Sequence, residues 1–299
     1  MTSMKKKLFL AVAIIVVAVL AALIFLTPSV SPEEPLPNPN GYDDFVKAAT
    51  LIERNPPDWW PMQGEELHAA LQRLVATNQS ALALVRTGLA KKCRMVPWEM
   101  NATNGQHLND LAGSKALAQA VAAASRLALI EGRTNEAAAL ATDCIRFGNE
   151  SARGGVLIDG LVGIAIKSIG LSSLKSAAEG MDLESTRKTL SALDEVASRS
   201  EPAEDILKRE RQWARSGRFG SAGILTQIIQ PFLNRKALEK GRQKFTEIET
   251  DLQRTRIQLA RHAFELDHGQ PPATARDLVP QYLKAIPLDP ATSQELPVK

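Results

Sequence analysis

Residues Leu8–Leu26 read LFLAVAIIVVAVLAALIFL, nineteen residues without a charge or a polar side chain. As a helix rising about 1.5 Å per residue the run spans roughly 28 Å, close to the hydrocarbon thickness of a bilayer. Lys5, Lys6 and Lys7 stand directly before it, and the next basic residue is Lys47. Basic flanks stay on the cytoplasmic side. The run therefore predicts a single-pass signal anchor in the cytoplasmic (inner) membrane. Its N-terminus lies inside, the rest of the chain lies outside, and the lipid bilayer is a partner through Leu8–Leu26.

A secretory signal peptide is the main rival reading. Its apolar core runs about 7–15 residues and ends in a small-x-small cleavage site. Here the core is longer, and Pro28 stands between Thr27 and Ser29. No cysteine follows the run for lipid attachment, and the Gly-aromatic-Thr-Leu-x-Glu signature of pilins is replaced by Lys7-Leu8-Phe9-Leu10. Both the anchor and the signal-peptide reading export the remaining chain.

Beyond the anchor, Thr27–Gly41 carries five prolines. Proline fixes φ and removes a donor, so the segment reads as an extended spacer, up to about 45 Å at roughly 3.1 Å per residue, that holds the domain clear of the headgroups. The chain is 44% hydrophobic, much of it Ala and Leu, and only 5% aromatic. That composition favours helices packed through small side chains over sheets. The expected fold is all-α: an N-terminal transmembrane helix, then an extracytoplasmic bundle of antiparallel helices with a short C-terminal helix-and-turn tail. Residues 1–7 form a basic cytoplasmic segment, 8–26 the anchor, 27–41 the linker, 42–268 the helical domain and 269–299 the tail. A net charge of +3 is too small to point to nucleic acid, from which export would also separate the chain.

Several boundaries are legible. Asn40 is a cap for a helix with Phe45, Ala48, Ala49 and Ile52 on one face. Asn78 breaks and caps a helical pair over 65–92, and Trp98 plugs the loop that follows. Leu108, Leu111, Leu117, Val121, Leu127 and Ile130 mark a long amphipathic helix. Gly132 and Thr134 end it and cap the next, giving an antiparallel hairpin. Gly155–Leu174 is apolar enough to be considered a second span, but Asp159 and Lys167 would each cost about 2.5–3.5 kcal/mol near its centre. Lying eight apart on one narrow stripe, they suit a nearly buried core helix. Asp182 and Ser200 are further caps. Gly223–Leu233 is apolar in a basic neighbourhood, either core or a contact patch. Over Arg235–His268, Leu238, Phe245, Leu252, Leu259 and Leu266 form a strong seven-residue seam. Its companion series, Gly241, Ile248, Thr255 and His262, is weak.

The last stretch places Asp267, Gly269, Pro272, Leu278, Leu283, Pro287, Asp289 and Pro290 in the order Asp-x-Gly-x-x-Pro, a short Leu-containing helix, then Pro-x-Asp-Pro. This resembles the module that follows the long helix of type II secretion pseudopilins. Anchor, helical middle and tail together look like uncharacterised membrane-anchored helical proteins of planctomycete and verrucomicrobial type. The resemblance implies a role near a secretion or pilus-like apparatus. In pseudopilins the downstream loop, continuing with Trp-Gly, helps bind calcium; here Ala291-Thr292-Ser293 stand in its place, and no ligand is carried over. Physically, Gly269 can end the long helix, Thr274 and Asp277 can form a capping box, and Asp289 can bond local amides.

Signatures of chemistry are sparse. The sequence holds no Gly-rich phosphate loop, no Gly-x-Ser-x-Gly elbow and no His-Glu-x-x-His. Two cysteines and four scattered histidines make no zinc spacing, and no cofactor is expected. Cys93 and Cys144 are either a disulfide, which an oxidising compartment permits, or two buried thiols. Trp59 and Trp60 are either a contact surface or a lid over the core. With Asp58, Glu65 and Glu66 they suggest a glycan-binding or hydrolase reading. The leading expectation is a non-enzymatic interaction or scaffold domain with an envelope protein as partner.

Overall fold

The computed structural model describes residues 35–53, 59–96, 104–215 and 235–297. The anchor Leu8–Leu26, Asp58, Trp98 and the run Gly223–Leu233 lie outside the described residues. Leu36–Lys299 forms one compact unit, distinct from Met1–Pro35. Among the described residues the fold is all-helical, as the composition predicts. The helices are α1 (Gly41–Leu51), α2 (Gly64–Thr77), α3 (Gln79–Leu89), α4 (Asn104–Ile130), α5 (Thr134–Ser151), α6 (Leu157–Ala177), α7 (Leu183–Arg199), α8 (Ala203–Arg215) and α9 (Arg235–His268). A 3-10 turn extends α6 at Ala178–Gly180, and another, Ala275–Leu278, opens the tail.

Helices α4 to α7 and α9 run alternately up and down between two ends. At the proximal end α1 begins, and Asn40 joins it to the strap after α3 by donating to Arg94 O at 2.8 Å and accepting from Arg94 N–H at 3.0 Å. Met95 N–H donates to Arg153 O in the α5–α6 junction at 2.9 Å. At the distal end, Glu53 N–H donates to Asn78 Oδ1 at 2.8 Å, Asn135 bonds Asp182 at 2.6 Å, and His262 contacts Met181 O at 3.0 Å. Helix α2 lies across the distal half of α4, burying Leu67, Leu71 and Leu74 against Ala123 and Leu127.

Helix α4 shows why the core is built from alanine. From Leu117 to Ser125 nearly every side chain is buried, and α1, α2, α3, α5 and α6 all pack on it. An amphipathic helix was expected with Leu108 on the inner face. Instead the middle is buried all round, and Leu108, at the proximal end, is 51% exposed. Helix α6 is the second central element, packed on α4, α5, α8 and α9. By length and composition Leu157–Gly180 could also cross a membrane. In the fold its Gly160, Gly163, Ile166, Gly170, Leu171 and Leu174 are buried. Helix α5 crosses it so closely that a Cβ on Gly163 would sit 2.6 Å from Gly148 O, and one on Gly148 would sit 2.7 Å from Gly163 O.

The expected stripe of Asp159 with Lys167 does not exist. Asp159 turns to α4 and Lys167 to α9, because eight residues at 3.6 per turn leave the two side chains about 80° apart. Asn40 and Asp182 cap their helices through their side chains. Asn78 does not: its side chain is spent on Glu53 N–H and Leu74 O. Ser200 also turns away from α8, and Arg133, not Thr134, holds the cap position of α5 without a side-chain bond. On α9 the companion series is as well used as the strong seam. Gly241, Ile248 and Thr255 are buried while Leu266 is exposed.

The tail folds back along α7 and α9. Gly269 ends α9 at φ 70°. Asp277 supplies its half of the box, accepting Thr274 N–H at 2.6 Å, and Asp289 accepts Ala291 N–H at 2.8 Å. Leu278, Tyr282, Leu283 and Leu296 enter the core. Asp267 accepts from the Tyr282 hydroxyl at 2.5 Å, from Arg187 at 2.7 Å and from Gln281 at 3.1 Å. The Tyr282 hydroxyl first, then the charge of Arg187, hold its carboxyl below the usual range.

Candidate functional site

A cleft of about 280 Å³ opens between α5, α6, the α7–α8 junction and α9, with Pro290 of the tail at its rim. Ile164, Ile206 and Phe245 supply its apolar wall. Its polar groups come from four segments. Lys167 Nζ donates to Glu249 Oε1 at 3.2 Å and reaches Ser200 Oγ at 3.5 Å. The Ser200 hydroxyl has Asn149 Oδ1 and Val196 O as acceptors, each at 3.1 Å. Beside them Arg153 is paired with Glu150, and Arg209 with Glu201.

This geometry limits the chemistry. A nucleophilic serine needs a base to take its proton. Here the hydroxyl has amide and carbonyl oxygens as acceptors, and the neighbouring Lys167 Nζ is paired with Glu249. Donors and acceptors close on one another and tie the junction together. The lone lysine inside an apolar run was the one sequence signal for this cluster. Its partners, 33 and 82 residues onward, carry no pattern that would find them.

A second cluster lies at the proximal end. Asp159, buried in the first turn of α6, accepts Val156 N–H at 2.7 Å and meets His107 Nε2 of α4 at 2.7 Å. A carboxylate there also faces the positive end of the helix dipole. Burial, then Asp159 and Asp110, hold the Tyr42 phenol of α1 above its ordinary range. Glu210 of α8 accepts Leu157 N–H at 3.0 Å. Two helices, α4 and α8, are thus fastened to the start of α6, and leaving one member of the buried His107–Asp159 hydrogen bond without its partner should cost about 1–3 kcal/mol.

The residues singled out from sequence are scattered. Trp59 is 7% exposed and packs with Leu67, Leu71 and Leu74, whereas Trp60 is 67% exposed and stacks on it with centroids 4.3 Å apart. One indole is therefore lid and the other surface. Glu65 and Glu66 stand exposed in the first turn of α2, outside the cleft around Lys167. Cys93 and Cys144 are free thiols, both buried. Cys93 lies against the Gly41–Gly88 contact of α1 and α3, with Gly88 O at 3.4 Å. Cys144 lies between α4 and α6, with Ala118 O at 3.9 Å and Ile166 O at 3.6 Å. The two are not bridged in this structure. Burial pushes both thiols up to about 12. His262 and His268, on α9, bond separate carbonyls, Met181 O and Phe264 O.

Compared with family models, with curated proteins and with solved structures, the chain matches none.

Proposed function

We propose that this chain is a single-pass protein of the cytoplasmic membrane whose helical domain stands outside that membrane and contacts another envelope protein, with no chemistry of its own. The observation that carries the reading is the uncharged run Leu8–Leu26 behind Lys5, Lys6 and Lys7, which is long enough to span and oriented by its basic flank. The self-paired groups of the cleft around Lys167 support the non-enzymatic part.

Two measurements test it. Alkaline phosphatase fused after Lys299 should be active and a green fluorescent protein fused there dark, since phosphatase folds only outside the cytoplasm. The reverse pattern overturns the orientation. Cross-linking in intact membranes followed by affinity isolation should return one stoichiometric protein partner, and isolation of the chain alone overturns the scaffold role.

A further inference from the structure

Ten large apolar side chains are exposed among the described residues, and five of them belong to the proximal end: Leu36, Val96, Leu108, Ile158 and Leu161. The others lie on the ends of α1, α4 and α9, in the tryptophan pair and in the tail turn. Scattered exposed hydrophobics are ordinary, but a gathered set marks a contact surface. Hydrogen bonds gather this one. The His107–Asp159 pair joins the start of α4, which carries Leu108, to the start of α6, which carries Ile158. The Met95–Arg153 bond draws Val96 to the approach to α6. Asn40 and Arg94 join the segment after Leu36 to the same strap. Leu161 follows Ile158 at i+3, on the same face of α6.

We propose that this proximal end rests on the surface of the bilayer that Leu8–Leu26 crosses. The inference deepens the reading of that run as an anchor and depends on it. The compact unit begins at Leu36, so the chain from the anchor joins the domain at this very end. Residues 27–35 reach at most about 30 Å at roughly 3.3–3.6 Å per residue, less than the spacer that the prolines alone suggest. A short tether makes the second contact intramolecular, at an effective concentration in the millimolar range, so a patch too small to hold a membrane by itself suffices. The contact is apolar. Arg153 and Arg209 at this end are taken up by Glu150 and Glu201; Lys92 and Lys208 stand exposed there and can add to the hold on anionic lipid, but the apolar contact itself should survive high salt on a neutral bilayer. Helix α6 then rises away from the membrane, and Ser176 stands about 27 Å further along its axis than Ile158.

Site-directed spin labelling tests this. Leu108→Cys, Leu161→Cys and Ser176→Cys are made singly in the full chain, labelled and reconstituted in phosphatidylcholine vesicles. The native thiols are buried and do not take the label. Power saturation should show oxygen accessibility exceeding that of a water-soluble nickel chelate at positions 108 and 161, and the reverse at 176. High salt should leave the pattern unchanged. Water-like values at all three positions overturn the inference and leave the anchor standing if the chain still resists an alkaline carbonate wash. A chain that washes off overturns both. Shielding of 108 and 161 from both reagents, in detergent as well as in vesicles, identifies a protein cover there, a second copy or the Gly223–Leu233 segment, and also overturns it. Ile158→Cys replaces any variant whose circular dichroism departs from the parent's.

Discussion

At the scale of residues, burial sets the behaviour of the ionisable groups. Cys93 and Cys144 should ignore a disulfide reagent at mildly alkaline pH, because burial both screens them and raises their thiols to about 12. Both should react in guanidinium without prior reduction. Two reactive thiols only after reduction would reveal a bridge. Glu210 offers a test with a sign. Burial is the largest influence on it and raises its carboxyl above the usual range, Asp159 adds to this, and Leu157 N–H opposes it. The folded chain thus holds this proton more tightly than the unfolded chain. The stability so gained is fully present below the unfolded carboxyl value of about 4.3 and is lost as pH rises through the folded value. Glu210→Gln keeps an acceptor for Leu157 N–H and removes the charge. Its melting temperature should exceed the parent's at neutral pH, with the gap closing as pH falls towards 4.3 or so. A gap independent of pH would exclude this origin.

At the scale of elements, α5 and α6 are held by the closeness of their backbones. Alanine raises helix propensity over glycine by about 1 kcal/mol, so Gly163→Ala would stabilise an isolated helix. In the bundle its Cβ would lie 2.6 Å from Gly148 O, a backbone atom that no rotamer change can move. Overpacking of this kind costs about 1–3 kcal/mol, so the net effect should be a lower melting temperature. Ser172→Ala, on the exposed face of the same helix, should change stability by less than about 0.5 kcal/mol. An unchanged or raised melting temperature for Gly163→Ala would mean that the crossing is looser than described.

At the scale of the whole molecule, the sequence by itself determined the class of fold and most places where helices stop. Alanine and leucine at helical spacing, Gly132 and Gly269 at left-handed turns, and Asn40 and Asp182 at caps act through neighbours within a turn or two, so their effects are written locally. The bounds Arg235–His268 of α9 follow from such signals. Only the tertiary structure decided which faces are inner. The middle of helix α4 is buried all round because five helices reach it, and Leu108 is exposed because at the proximal end it is its neighbour His107 that meets α6. The polar clusters were equally hidden. Asp159 and Lys167 announced that partners must exist, since an isolated charge is expensive to bury. That the partners are His107 and Glu249 depends on which helices meet, 52 residues apart in one case and 82 in the other. Local chemistry fixes where a helix begins and ends; its neighbours are chosen by burial summed over the whole chain, and no single stretch of sequence contains that sum.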